Sequence, residues 1–234
     1  MTLLSIVSNA CDKIGLPRPS AVIASQDQSY RELLTFAQQE GDELAKAIPW
    51  QELTKETSFT SIAAYAQTNS IPSDWNRFIN GSMFNRTLQR KMHGPITPQE
   101  WQQRLAFPAS STVEWWFRVR GGEILIHPLP PAGNSIYYEY VSTLWVDTNG
   151  DGTGDSASWT ADANTAVIPE DLITLGVVYR FLRAKGLATW ETAYKDYRDQ
   201  VAKKAVQQEG SPVLQTVRRG FYTGAANVPE GNWP

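Results

Sequence analysis

At 234 residues the chain is long enough for one large domain or two small ones, and its 41% hydrophobic and 19% charged residues are ordinary for a globular protein. A formal net charge of −3 excludes a polycation that holds nucleic acid by its overall charge. A single cysteine excludes an intrachain disulfide, no apolar run approaches the ~18 residues of a membrane span, and the N-terminus lacks the basic-then-apolar order expected of a signal peptide.

Leu3, Leu4, Ile6, Val7, Ala10, Cys11 and Ile14 recur at intervals of three and four, which predicts an amphipathic helix ended by Gly15 and Pro17. Cys11 falls on its apolar face, the place of a buried, inert thiol. After a loop, Ser25 and Gln28 carry the capping-box pattern for a second helix. Tyr30, Leu33, Leu34, Ala37, Leu44 and Ile48 form its apolar stripe, and Pro49 closes it. Gly41 in its middle is expected to weaken it by roughly 1 kcal/mol relative to Ala. The polar alternation from Trp50 to Ile62 predicts an edge strand. Ile71-Pro72-Ser73-Asp74 predicts a turn into a short helix near Asp74–Ile79. Thr97-Pro98-Gln99-Glu100 is a helix start, with Thr at the cap, Pro at the first turn and Glu three residues on. Trp101 and Leu105 are its expected buried side and Pro108 its end.

From Trp115 to Val146 the chain reads as a β-meander. Gly121-Gly122 is a two-residue hairpin turn, and Pro130 to Asn134 a longer turn into SIYYEYVSTLWV. Between Asp147 and Asp171 there are six acidic residues and no Lys or Arg. Pro169-Glu170-Asp171 opens a strongly apolar helix, Leu172 to Lys185, with acids at its positive end, Leu175 in its core and Gly186 just past its C-terminus. A last helix is expected from Thr189 to Gln208, with Trp190, Ala193, Tyr194, Tyr197 and Val201 on one side and Gly210 as its stop. Residues 211–234 have no periodicity but carry Val213, Leu214, Val217, Arg218, Arg219, Phe221, Tyr222 and Trp233, too apolar for a plain solvated tail.

The fold class is therefore α+β. Residues 1–49 and 170–209 are read as an α-helical bundle, 50–146 as a mixed insertion with an antiparallel β-meander, 147–169 as an acidic loop and 210–234 as an extended C-terminal tail. Helices on both sides of an inserted sheet, with no nucleophile elbow and no phosphate loop, place function in architecture and surface. Nine tryptophans fit either a Trp-rich core or an assembling protein.

Three surface motifs stand out. Asp147, Asn149, Asp151, Gly152 and Asp155 match the early positions of an EF-hand calcium loop. The closing Glu is replaced by Ser158, and the same residues make ordinary turns. The loop is thus a candidate calcium site, and no other cofactor or metal is expected. Between residues 77 and 120 seven basic residues, Arg77, Arg86, Arg90, Lys91, Arg104, Arg118 and Arg120, outweigh Glu100 and Glu114. They form either a solvated basic face, or a face toward DNA in a channel, or, the reading preferred here, a face to an acidic partner, the acidic run of a neighbouring copy included. Arg118 and Arg120, with Glu123 across the hairpin, are either a surface ion pair or a contact point at the hairpin tip. His93 and His127 each lie near a proline without a Cys or His partner, and are expected to be polar turn residues.

Several segments together carry a resemblance. They are the N-terminal helix pair, IPSDW (residues 71–75), PQEWQQRLA (98–106), FRVRGGEILIHPLP within the meander, VIPEDLITLGVVYRFLRAKG in the apolar helix, and ETAYKDYRDQVAKKA (191–205). In this order the chain, from residue 1 to about 210, resembles the head-to-tail adaptor (connector) proteins of tailed bacteriophages. In outline it is similar to the tail accessory factor and tail tubular adaptors of podophages. DTNGDGTGD (147–155) departs from that pattern as extra loop sequence.

The resemblance implies a non-enzymatic virion protein of the head–tail junction, made in the host cytoplasm. It would bind the portal protein, a downstream tail protein and further copies of itself in a ring, typically of twelve. Such a ring extends the channel through which DNA passes without sequence-specific binding, helps retain the packaged genome and serves its ejection. It implies that the tail residues named above reach the portal; the hairpin tip with Arg118 and Arg120 is, from its own residues, a candidate contact for a tail component. Two readings of other classes stay open. One is a carbohydrate- or protein-binding β module using Trp115, Trp116 and Tyr137 to Tyr140. The other is a cell-wall glycan hydrolase built on acids such as Glu170 and Asp171.

Overall fold

The computed structural model describes residues 1–106 and 114–209. Five helices and a mixed sheet give the α+β class expected. Pro108 and residues 210–234, with all eight tail residues named above, lie outside the described residues.

Helix α1 (Leu3–Ile14) starts at Thr2, whose side chain accepts from the Ser5 amide, and ends on Gly15 at φ 77°. That is a left-handed cap open to glycine at no steric cost. Helix α2 (Gln28–Ala47) is capped by Asp27, whose carboxylate accepts from Ser29 N at 2.7 Å. The expected Ser25 cap lies two residues too early, and its hydroxyl instead accepts from the Asp27 amide. Helix α4 (Glu170–Ala184) is the centre of the bundle and packs against α1, α2 and α5 (Trp190–Glu209). It closes in a Schellman turn, with Gly186 N donating to Arg183 O and Leu187 N to Leu182 O.

Gly41 is not a weak point. A Cβ there would stand 2.1 Å from the ring of Trp145, so the glycine lets a fully buried indole lie against the α2 backbone. That indole donates to Asp42 Oδ1 at 2.9 Å. The local helix penalty of glycine is offset by burial of a whole tryptophan side chain. On α4, Leu172, Ile173 and Val177 are buried, whereas Leu175 is only half-buried at the rim of a cleft with Asn9 and Lys13, so the core assignment of Leu175 is corrected.

The sheet comprises β1 (Thr54–Thr60), β2 (Ala66–Gln67), β3 (Trp75–Phe78), β4 (Phe84–Asn85), β5 (Arg90–His93), β6 (Trp115–Arg120), β7 (Glu123–His127) and β8 (Ser135–Ser142), in the order β1-β8-β4-β5-β6-β7-β2 with β3 also on β8. The β6–β7 hairpin is as expected, with Gly121 and Gly122 at φ 64° and 78°. The third strand of the anticipated meander, β8, does not pair with β7. It crosses to the other half of the sheet, where β1 takes all seven of its residues into antiparallel register with it. One junction, β5 with β6, is parallel. A separate two-stranded ladder, β9 (Val146–Asp147) with β10 (Thr165–Ala166), closes the base of the acidic loop.

The expected short helix at Asp74–Ile79 is strand β3. Asp74 caps no helix, because its carboxylate is taken by Tyr140 Oη (2.9 Å), Ser142 Oγ (2.7 Å) and Lys55 Nζ (3.3 Å). Burial works against the charge, but these donors outweigh it and hold Asp74 below the usual carboxylate range. Helix α3 (Pro98–Ala106) has the anticipated reciprocal capping box between Thr97 and Glu100. Trp101 is buried, but Leu105 is 37% exposed, a correction to its assignment: in this nine-residue helix Trp101 alone is buried.

Among the described residues there are two large apolar centres and a small third one of Ile96, Trp101 and Leu125. Of the large ones, one lies within the helices and is joined to the sheet by Leu53, Val141 and Trp145; the other lies on one face of the sheet around Met83, Phe117 and Tyr138.

Candidate assembly surfaces

An assembly site would be built from exposed side chains that the fold leaves without cover. Helix α5 is the largest such element. Its inward stripe, Trp190, Ala193, Tyr197 and Val201, follows the expected spacing, yet no side chain of residues 190–208 is fully buried. The helix lies on the bundle rather than in it. Val206, 70% exposed, stands on its outer side, and Leu187 is exposed just before it, while Tyr194 rests partly exposed against Tyr179 of α4.

Ala193, Val201 and Ala205 of α5 pack against the helical core, and polar contacts add to this. Glu40 of α2 is 0% exposed, and its carboxylate accepts from Arg180 Nε at 2.7 Å and from the Tyr197 hydroxyl of α5. Arg180 reaches Glu43 as well, at 2.6 Å. Gly176 makes room for this acid, since a Cβ there would stand 2.2 Å from Glu40 Cδ. Burial pushes the Glu40 carboxyl above its ordinary range, although Tyr197 and Arg180 pull the other way. Tyr179, beside Tyr194 and Tyr197, is pushed up to about 12, by burial first and then by Glu40. At the far end of α5, Gln208 Oε1 accepts from Gln51 N at 3.1 Å, and Gln208 O accepts from Gln51 Nε2 at 3.2 Å. Sequence periodicity located the α5 stripe but missed Glu40, because an acid in a mostly polar helix carries no sign of being buried.

The basic segment does not form one patch. Arg86 lies 3.5 Å over the Tyr137 ring and bonds Glu56 at 2.7 Å, while Arg104 lies 3.5 Å over Trp116. These contacts neutralise part of the charge and cover the outward aromatics. Trp115, Phe117, Tyr138 and Tyr140 point inward by strand alternation. The aromatic platform of a sugar-binding face is therefore split between the core and two arginine-covered rings. Arg118 is half-exposed and Arg120 exposed beside the Gly-Gly turn; among the described residues neither is in an ion pair, and Arg120 stands opposite Glu123 in register. His127 is not a surface turn residue. It is buried against Tyr65, and burial, then Arg104, lowers its pKa and favours the neutral ring. Glu170 and Asp171 occupy the first turn of α4, where the helix dipole accommodates acids.

In the acidic loop Asp147 is buried and accepts from Asn149 N (3.0 Å), Gly150 N (2.6 Å) and Gly152 N (2.8 Å). Those amides hold its pKa low, the Gly152 amide foremost. Asp155 accepts from Thr148 N at 3.0 Å and from Asn149 Nδ2 at 2.5 Å, and Asp151 from Thr153 N at 2.8 Å. Asp147, Asn149, Asp151 and Asp155 thus sit close in sequence but are satisfied one by one by the loop itself. Among the described residues no group of three His, Cys, Asp or Glu side chains is placed to hold a metal.

No helix among the described residues is long and apolar enough to cross a membrane. A search of curated proteins returns no match. The family model described as SU10 adaptor protein matches residues 1–219, from α1 through the whole of α5. With that match over nearly the full length, the chain belongs to the SU10 adaptor protein family.

Proposed function

We propose that this phage structural adaptor assembles as a ring beneath the portal at the head–tail junction of the virion. There it extends the DNA channel, helps retain the packaged genome and docks the next tail component. The observation that carries the reading is the family match, which takes in bundle, sheet and α5 together. Support comes from α5, a twenty-residue helix with no fully buried side chain over residues 190–208. A helix of that kind gains burial when a neighbouring copy covers it. The ring is taken as twelve copies, and DNA passes through it without base-specific contacts. Residues 211–234 reach the portal through Val213, Leu214, Val217, Arg218, Arg219, Phe221, Tyr222 and Trp233, and Arg118 and Arg120 offer a second contact to a tail component. In outline this role is similar to that of the tail accessory factor and tail tubular adaptors of podophages.

The test is light scattering of the purified chain, alone and mixed with the portal protein of the same genome. A ring of fixed stoichiometry on the portal is expected, and deletion of residues 211–234 should abolish it while leaving the melting temperature unchanged. Full portal binding by the truncated chain would remove the tail from the mechanism.

We further propose that the acidic loop is a self-capped turn rather than a calcium site. Its carboxylate oxygens already receive N–H and O–H donors, which a cation would have to displace. Calcium at millimolar concentration is expected to leave the melting temperature where it is. A rise that saturates with calcium would show binding to the folded chain and overturn this.

A further inference from the structure

We propose that the Asn80-Gly81 turn is a site of spontaneous deamidation, and that Asp147 and Asp155 shield the chain's other Asn-Gly pair, Asn149-Gly150, from the same reaction. The reaction is intramolecular and consumes only water. The backbone nitrogen of the residue after an asparagine gives up its proton and bonds to the side-chain Cγ. The bond from Cγ to the amide nitrogen breaks, and ammonia leaves with that proton. Water then opens the resulting succinimide at either carbonyl, which gives aspartate or isoaspartate. The ring closes most readily when the following residue has no side chain, its N–H has no acceptor and the asparagine side chain is free to turn.

By sequence the two pairs are equivalent, and much of their setting is shared. Asn80 and Gly81 are exposed in the turn between β3 and β4, and Asn149 and Gly150 are exposed in the acidic loop. Gly81 lies at φ 80° and Gly150 at φ 79°.

Hydrogen bonding separates them. At the acidic loop the attacking nitrogen is occupied, because Gly150 N donates to Asp147 Oδ1 at 2.6 Å. An N–H held by a carboxylate is harder to deprotonate, since the anion beside it opposes a second negative charge. The Asn149 side chain is tied as well, its Nδ2 donating to Asp155 Oδ2 at 2.5 Å, so Cγ turns toward the backbone only if that bond is given up. Gly152 N, which would attack Asp151 in the related isomerisation, is held by Asp147 Oδ2 at 2.8 Å. The Asn80-Gly81 turn is closed by its neighbours instead: Ser82 N and Ser82 Oγ donate to Ile79 O at 3.3 and 2.7 Å. Among the described residues neither the Asn80 side chain nor Gly81 N makes a hydrogen bond.

The product changes the charge of the turn. Lys91 of β5 lies beside it, with Nζ 4.0 Å from where a Cβ on Gly81 would stand. Each conversion adds a carboxylate near that cation and lowers the positive charge of the basic segment, and isoaspartate also adds a carbon to the backbone of the turn. Asp147 and its loop, with no metal to hold, keep the other pair chemically intact.

The experiment is a time course of peptide mapping by mass spectrometry on the purified full chain at neutral pH, folded and urea-unfolded, with the Asn, Asp and isoaspartate forms of each peptide separated. In the folded chain Asn80 is expected to convert about 10-fold or more faster than Asn149, because reaction at Asn149 waits on the opening of its hydrogen bonds. In urea the two should convert at similar rates. Asp155→Ala, with a melting curve like the parent's, should raise the folded-state rate at Asn149 toward that at Asn80; the urea comparison decides even if that variant does not fold. Equal rates in the folded chain, or Asn149 the faster, would overturn the inference. So would a gap that stays unchanged in urea, or an Asn80 that survives in the folded chain while it converts in the unfolded one. The chain is tested free of portal and ring, so failure here leaves the adaptor reading standing.

Discussion

Ile173→Asp is expected to unfold the protein, and Leu175→Asp two residues away is expected to leave it folded. Ile173 is fully buried in the helical core with Leu3, Ile6 and Val177. An aspartate there has no cation to meet it, and an unpaired buried charge is among the costliest single changes known. A domain has only about 5–15 kcal/mol of stability in total, so most of it should disappear. Leu175 is half-buried at the rim of an open cleft that Lys13, Asp12 and Asp171 also line, where water reaches a carboxylate. Its substitution should cost about 1 kcal/mol or less. Circular-dichroism melts and soluble yields decide the matter. An Ile173→Asp protein that melts like the parent, or an insoluble Leu175→Asp protein, would contradict the packing described.

Arg180→Ala should destabilise the bundle by about 3–5 kcal/mol near neutral pH, because it strands the Glu40 carboxylate in the interior. The loss should depend on pH with a definite sign. Glu40 is held above its ordinary range in the folded chain, by burial foremost, and removing Arg180 raises it further. A carboxyl raised on folding binds its proton more tightly in the folded state. Its contribution is therefore intact below the unfolded-chain value, ~4.3, and is lost as pH rises through the folded value. The gap between parent and variant should be small near pH 4 and widen toward pH 8, as read from urea midpoints. Glu40→Gln placed on Arg180→Ala should recover part of the loss at pH 8 and flatten the profile, since the neutral amide needs no cation. A gap that narrows with rising pH would show that Glu40 is not the group responsible. The Tyr197 hydroxyl also bonds Glu40, so the same variants should loosen α5 and expose the Trp190–Tyr194–Tyr197 cluster to solvent.

The sequence alone determined whatever depends on residues within one turn or one hairpin of each other. Helix α1 and its Gly15 stop, the Thr97–Glu100 capping box, the Gly121-Gly122 turn, the Gly186 cap and the stripe of α5 all follow from local hydrogen bonding and the 3.6-residue period, which act before any tertiary contact forms. The order of segments was also enough to place the chain among adaptors. The tertiary structure decided everything that rests on a distant partner. The stretch from Asp74 to Ile79 looked like a short helix, but Tyr140 and Ser142, over 60 residues away, take the Asp74 carboxylate, and Trp75–Phe78 is a strand. Gly41 looked like a weak point until Trp145 filled the space a side chain would take. Strand β8 looked like the partner of β7 because they are neighbours in sequence, but pairing seven residues with β1 and burying Ile136, Tyr138 and Tyr140 on one face binds it to the other half of the sheet. Glu40 was an ordinary polar residue of an amphipathic helix until Arg180 and Tyr197 enclosed it. In each case the local preference is about 1 kcal/mol, and the burial of an aromatic ring or a charge outweighs it several-fold.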